Sequence, residues 1–505
     1  MSEQLADLRR RMAEISDLGS LGALLFWDQQ TMMPPGGAPA RAEAAATLAR
    51  VFHARETSPD LGALLDALEP WAAEQDPDSD DARLVWWARR DYEKAVRVPE
   101  DLAAELTRAK ALGQQAWIEA RAAADFSLFR DALARQVDLR HRYIACFDGF
   151  EHPYDALLDD FEPGLTTAEL RPLFAELRDA LVPLVSAAGD VEQERNAGAF
   201  KGEFDVVTQK LAVLDVLGAL GYDPDRWRLD PTLHPFASGI APDDVRLTTR
   251  YDEHDFAVAL YSALHEFGHG LYEAGSDRAL WRTTLDDPVS LGVHESQSRL
   301  WENMVGRSRA FCAWLLPRLN ATVPGAVAGL DTAGLYHAVN TVQPSLVRTE
   351  ADETTYNLHI ILRFELELAL MDGSLGVDDL PAAWDEGMDR LLGVQVPGPV
   401  EGVLQDVHWS AGLMGYFPTY TLGNLIGAQL WDRLRDDLAD VDAQIERGEF
   451  APLREWLREH VHRHGRKFPP RELLRRITGE ELRVDPFLRY LREKLADAGV
   501  LATAT

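Results

Sequence analysis

The stretch from Phe256 to Leu271 constrains this chain more than any other. Phe256, Leu260, Leu264, Phe267 and Leu271 recur at steps of three and four, the period of one buried face of an α-helix. Asp252 and Glu253 stand ahead of it, where carboxylates complement the positive end of a helix, and Gly275 follows as a stop. Within the stretch lies His265-Glu266-Phe267-Gly268-His269. Histidines four apart sit one above the other on a helix face, so both imidazoles reach one tetrahedral ion while Glu266 projects beside them. That donor set points to a zinc-type metal with a carboxylate placed to act as base on a metal-activated water. A core helix with two buried histidines is the bland alternative, which the pattern by itself leaves open.

A hydrolytic zinc needs a third protein ligand and an open fourth position. Glu295, in Val293-His294-Glu295-Ser296-Gln297, follows the second histidine by 295 − 269 = 26 positions. That separation suits a second helix returning antiparallel to the first, and Leu300, Trp301, Met304 and Val305 continue an apolar stripe beyond it. Glu273 is one turn further along the first helix, Asp286 and Asp287 fall in the connecting loop, and Glu302 lies two turns past Glu295. These are weaker ligands, and His294, as a helical neighbour of Glu295, points elsewhere. A loop aspartate such as Asp287 is a candidate to orient a ligand imidazole from behind, although the sequence does not single one out.

The rest of the chain reads as helical. Runs such as Leu61, Leu64, Leu65 and Leu68 are broken by polar loops such as Asp76-Pro77-Asp78-Ser79-Asp80-Asp81. The one extended patch is Trp227 to Tyr251, where Pro231 and Pro235 punctuate and Val245, Leu247 and Thr249 alternate, so a small sheet is expected just ahead of the metal helix. An edge strand there could pair with the backbone of an extended peptide, which ignores side-chain identity. A net charge of −32 argues against nucleic acid and anionic membrane as partners. Leu5, Leu8, Met12, Ile15 and Leu18 are interleaved with charges, unlike a signal peptide, and no run of about 20 apolar residues suggests a membrane helix. Cys146 and Cys312 form no CxxC pair, so a reducing cytoplasm is expected.

Several separate segments then fall in a telling order. They are Trp27-Asp28-Gln29-Gln30-Thr31 with Met33-Pro34 and Arg41, His234-Pro235-Phe236, Asp244-Val245-Arg246-Leu247-Thr248, the histidine motif, and His294-Glu295-Ser296-Gln297. Val347-Arg348-Thr349-Glu350-Ala351-Asp352 and Gly402-Val403-Leu404-Gln405-Asp406-Val407-His408-Trp409 complete the series. The chain thereby resembles the carboxypeptidase Taq family of metallocarboxypeptidases over nearly its whole length. Val347 stands where that family more often has isoleucine. The resemblance implies a mainly α, two-lobed helical zinc-peptidase fold of the neurolysin-like type, with a deep active-site groove and one catalytic domain spanning 1–505. It also implies one Zn²⁺ per chain on His265, His269 and Glu295, with Co²⁺ a possible substitute, and a homodimer.

The expected reaction is release of single C-terminal amino acids from peptides with broad specificity, Glu266 serving as general base. Charge collecting on the former carbonyl oxygen needs a donor. Tyr420 is the first candidate, with His408 and Tyr416 close behind, all from a late segment rich in hydroxyl groups. A C-terminal carboxylate needs a cation, and Arg348 is the natural clamp. Its bland reading is an i,i+4 pair with Asp352, worth a few tenths of a kcal/mol. By the same resemblance His234, Arg246 and Thr248 narrow the far end of the groove, with Gln405 and Asp406 supporting that wall. Two rivals are a zinc oligopeptidase that cuts internally in short peptides and a non-catalytic helical protein that retains zinc.

Overall fold

Asp255 caps the metal helix, its side chain accepting the Ala257 N–H at 3.0 Å, and the helix runs Phe256–Gly275. Phe256, Leu260, Leu264 and Phe267 are fully buried, as their period predicts. In the computed structural model the protein is mainly helical, and residues 2–192 and 199–501 are described. These residues group into two compact units.

One unit gathers Met1–Val96, Gly198–Tyr336 and Gln429–Glu481. It contains β1 (Trp227–Pro231), β2 (Ala237–Ala241) and β3 (Asp244–Thr249), in the order β1-β3-β2. β1 runs parallel to β3, Trp227 opposite Val245, and β2 runs antiparallel, Ala237 opposite Leu247. β2 is therefore an edge strand.

Two glycines of the motif let neighbouring elements close on the metal helix. A Cβ at Gly268 would stand 2.4 Å from the Gln297 carbonyl oxygen, and one at Gly270 would stand 2.7 Å from the Trp227 ring. Gly268 thus admits the backbone of the acid-bearing helix Leu291–Arg299, and Gly270 admits the sheet. That helix starts at Ser290, whose hydroxyl accepts the Val293 N–H at 3.1 Å. It passes into a π-helical stretch, Leu300–Val305.

The other unit gathers Arg97–Ala197, His337–Ala428 and Leu482–Thr505. Its central helix, Glu353–Asp372, is buried on nearly every side, and Leu358, Ile360, Asn357, His359, Arg363 and Glu367 are all inaccessible. Polar groups at such depth need partners. The Arg363 and Glu367 side chains find theirs in the segment from Gln405 to Gly415.

The N-terminal helix spans Ser2–Thr31, with Leu8 and Met12 in the core. Among the described residues no helix is long and apolar enough to cross a membrane. Cys146 and Cys312 are free thiols.

Candidate metal centre and anion clamp

His265, Glu266 and His269 project from one face of the metal helix, and Glu295 meets them from the Leu291–Arg299 helix. Glu295 Oε2 lies 3.7 Å from His265 Nε2 and 3.4 Å from His269 Nε2. Ligand atoms on a tetrahedral zinc at about 2.1 Å stand about 3.4 Å apart. His265, His269 and Glu295 are the one group of three metal-type ligands that converge among the described residues, and their spacing fits a small divalent cation.

The network behind these three side chains limits which of their atoms are left for a metal. His265 Nδ1 lies 2.9 Å from Glu302 Oε2, leaving Nε2 for metal. Arg299 donates from Nε to Glu295 Oε1 at 2.7 Å, and Arg307 from Nη2 to Glu302 Oε1 at 3.2 Å. Burial would raise Glu295 and Glu302, yet both carboxyls are held well below their usual range. Arg299 and His265 do this for Glu295; the His265 bond and Arg299 do it for Glu302. Burial would likewise lower His265, but Glu295 and the Glu302 bond hold it above its ordinary value.

Burial takes His269 down to about 3, with His294 adding to the effect. His294 stacks on the His269 ring at 4.3 Å, and its Nε2 sits 2.9 Å from Glu273 Oε1. It is a wall for the ligand, as its position next to Glu295 suggests. Asp287, proposed as the group behind an imidazole, instead lies in the loop 4.0 Å from Arg466. Glu302 takes that role, because the π-helical stretch carries it there.

Glu266 differs from its neighbours. Burial pushes its carboxyl up to about 7, and Oε2 has no hydrogen-bond partner among the described residues. Such an atom costs about 1–3 kcal/mol to bury.

β2 lines a cavity of about 700 Å³ in the same unit, with Glu273, Asp287 and Glu56 among its walls. Arg246 of β3 is held by Asp244 at 2.5 and 2.9 Å and lies 4.4 Å above the Trp27 ring. Thr248 is fully buried. Its hydroxyl receives the Phe236 N–H at 2.7 Å and donates to the Phe236 carbonyl at 2.8 Å, so it anchors the His234-Pro235-Phe236 segment from inside. His234 itself is exposed.

In the other unit Arg348 is only 6% exposed, which rules out a solvated surface pair. Its Nε and Nη2 donate to Asp406 Oδ1 at 3.0 and 2.8 Å, and Nη1 donates to the Tyr356 hydroxyl at 2.9 Å. Asp352 instead caps the Glu353–Asp372 helix through the Thr354 and Thr355 N–H groups. Arg363 donates to the second Asp406 oxygen at 2.7 Å, and Gln405 Oε1 accepts both Arg363 Nη2 and the Arg348 N–H. Two buried guanidiniums thus share one carboxylate, and Arg348 keeps one N–H on each terminal nitrogen outside these bonds. Such a fork matches a carboxylate.

His408 Nε2 lies 3.1 Å from the Tyr420 hydroxyl, and the Tyr416 and Tyr420 rings are 5.4 Å apart. Burial, reinforced by Arg348 and Arg363 against Asp406, takes His408 down to about 3, so its ring is neutral at neutral pH. Tyr420 stands in the first turn of the helix Pro418–Asp437. The sequence reading missed Arg299, Arg363 and Glu367, and weighed Glu302 only as a weaker metal ligand. Only Arg299, four residues after Glu295, was signalled by spacing.

Known proteins carry the same pattern. Residues 7–495 match the family described as carboxypeptidase Taq (M32) metallopeptidase. The chain is 44% identical over 492 residues to thermostable carboxypeptidase 1 of Thermus thermophilus, covering 96% of both chains. It is 39% identical to carboxypeptidase 1 of Bacillus subtilis, covering 99% of each. It superposes on the crystal structure of the M32 carboxypeptidase of Deinococcus radiodurans R1 with a TM-score of 0.94 at 42% identity, covering 98% of this chain and 100% of that one. The chain therefore belongs to the carboxypeptidase Taq (M32) family of metallopeptidases, and is a metallocarboxypeptidase.

Proposed function

We propose that this enzyme removes single residues from the C-termini of peptides with broad specificity, using Glu266 as the proton carrier beside a metal on His265, His269 and Glu295. The observation that carries the reading is the unclaimed, buried Oε2 of Glu266 on the helix turn between the two imidazoles. A purely structural metal site has no use for such an oxygen. Zinc is the metal the donor set favours, with Co²⁺ an alternative. When bound, it polarises the scissile carbonyl and lowers the pKa of a water to roughly 7.

Glu266 is placed to take that proton at its unclaimed Oε2 and return it to the leaving amine. Tyr420, with His408 and Tyr416, donates to the oxygen on which charge develops. Arg348 grips the terminal carboxylate through its two remaining N–H groups, and Asp406 and Gln405 hold it for that task. An extended peptide pairing its backbone along the β2 edge would be held regardless of side-chain identity, which gives broad specificity. His234 and Arg246 limit how the other end of a peptide enters, and Thr248 acts by fixing Phe236. Family membership supports the homodimer and the two-lobed, neurolysin-like architecture with its groove, and the two free cysteines support residence in the cytoplasm.

A pair of peptides differing only in a C-terminal amide tests the clamp. The amide should be cut at least about 100-fold more slowly by the wild type, the worth of roughly 3 kcal/mol of charge-assisted hydrogen bonding. Arg348→Gln should erase most of that difference. Equal rates on acid and amide with the wild type contradict the assignment.

A further inference from the structure

We propose that Glu367 is a positioning residue that holds the segment from His408 to Tyr420, and with it the donors to the developing oxyanion, in working register. The inference rests on the assignment of Tyr420, His408 and Tyr416 given above. Glu367 lies on the buried Glu353–Asp372 helix and is itself inaccessible to solvent. Its Oε1 accepts the Trp409 indole N–H at 2.7 Å, and its Oε2 accepts the Gly415 N–H at 3.0 Å. Trp409 follows His408 and Gly415 precedes Tyr416, so one carboxylate grips both sides of the stretch between them. A third donor, the Tyr154 hydroxyl at 2.6 Å, ties the same oxygen to a helix that carries none of the three donors.

The segment needs such a grip. After a single 3₁₀ turn at His408–Ala411 it has only short-range backbone bonds, such as the Leu413 N–H to the His408 carbonyl at 2.9 Å, until the helix at Pro418, so side chains tie its course to the rest of the unit. Gln136 adds a second clasp, donating to the Ser410 carbonyl at 2.9 Å. Arg363, one turn before Glu367, does not pair with it but holds Asp406 and Gln405 just upstream. One helix therefore secures the segment at Gln405, Asp406, Trp409 and Gly415.

The carboxylate is an expensive choice for a place where a neutral side chain would pack. Among the described residues it makes no ion pair, and burial pushes it up to about 7 despite its three donors. Only a carboxylate accepts all three with two oxygens. A displacement of about 1 Å in a catalytic group costs on the order of 10²-fold in rate, which sets the scale of the benefit.

Four single variants and one double variant test the idea, with kcat, KM, bound metal and Tm measured on one free-acid peptide. Glu367→Gln and Trp409→Phe should each lower kcat about 10- to 100-fold, with KM within about threefold and metal content unchanged. Tyr154→Phe removes one of the three donors but leaves the Trp409 and Gly415 bonds to Glu367 in place, so kcat should stay within about threefold whatever happens to Tm. The Glu367→Gln/Tyr420→Phe double variant should lose less than the product of the two single losses, because both changes act on the same set of donors. Wild-type kcat in Glu367→Gln while Tyr420→Phe is impaired overturns the proposal and leaves the donor assignment standing. Fully multiplicative losses, or a loss in Tyr154→Phe equal to that in Trp409→Phe, also overturn it. Wild-type kcat in Tyr420→Phe overturns the donor assignment and this proposal together. Should Glu367→Gln fail to fold, the contrast between Trp409→Phe and Tyr154→Phe decides.

Discussion

Glu302 Oε2 stands 2.9 Å from His265 Nδ1, so a carboxylate outside the candidate triad engages that ring nitrogen and leaves Nε2 for a metal. Removing its charge should leave His265 free to turn and less basic. Glu302→Gln is expected to weaken metal binding about 10- to 100-fold, read by competition with a chromogenic chelator. An unchanged affinity shows that the tautomer is set by other means.

Glu266→Gln separates binding from chemistry. The residue is no ligand in the triad, so metal content should match the wild type. Its loss as proton carrier should lower kcat by about 10²–10⁴-fold, as for other general acid–base groups. Full activity in a metal-loaded variant contradicts the proposed mechanism.

Asp406 sits between Arg348 and Arg363, and each guanidinium takes one of its oxygens. Burial works against its charge, but the two arginines hold its carboxyl far below the usual range. Asp406→Asn leaves two buried cations without a counter-charge, an arrangement that typically costs about 3–5 kcal/mol. Denaturant melts should show that loss while the metal content of the other unit stays normal. A shift under about 1 kcal/mol points to a hydrated, adaptable cluster instead.

Glu56 faces the cavity beside β2 and is raised to about 7 by burial, with Asp91 adding repulsion. A carboxyl whose folded pKa exceeds its unfolded value of 4.5 binds more protons in the native state. Its contribution is present below pH 4.5 and is lost as the pH rises to about 7. Glu56→Gln should therefore raise Tm relative to the wild type at pH 8 but not at pH 4.5. Parallel Tm curves across that range contradict the raised pKa.

The convergence of His265 and His269 with Glu295 was legible because most of its information is local. Two histidines and a glutamate on one turn, with a capped amphipathic helix around them, follow from spacing alone. The alternation at Val245, Leu247 and Thr249 likewise announced β3, and all three are buried. Glu295 needed only the distance to a second helix. What escaped was set by long-range packing or by local irregularity. Glu302 reaches His265 through a π-helical stretch that no periodicity encodes. Arg363 and Glu367 carry no local signal, because their partners lie far along the chain, in the segment from Gln405 to Gly415. Arg348 was singled out by family likeness, whereas the acid four positions on, Asp352, caps a helix.

The most direct measurement is a time course of products from one defined free-acid peptide, followed by mass spectrometry with and without a metal chelator. Successive products, each one residue shorter at the C-terminus and absent in the chelated sample, are the predicted result. Internal fragments appearing first, or unchanged hydrolysis by fully metal-stripped enzyme, would contradict a metallocarboxypeptidase built on His265, Glu266, His269 and Glu295.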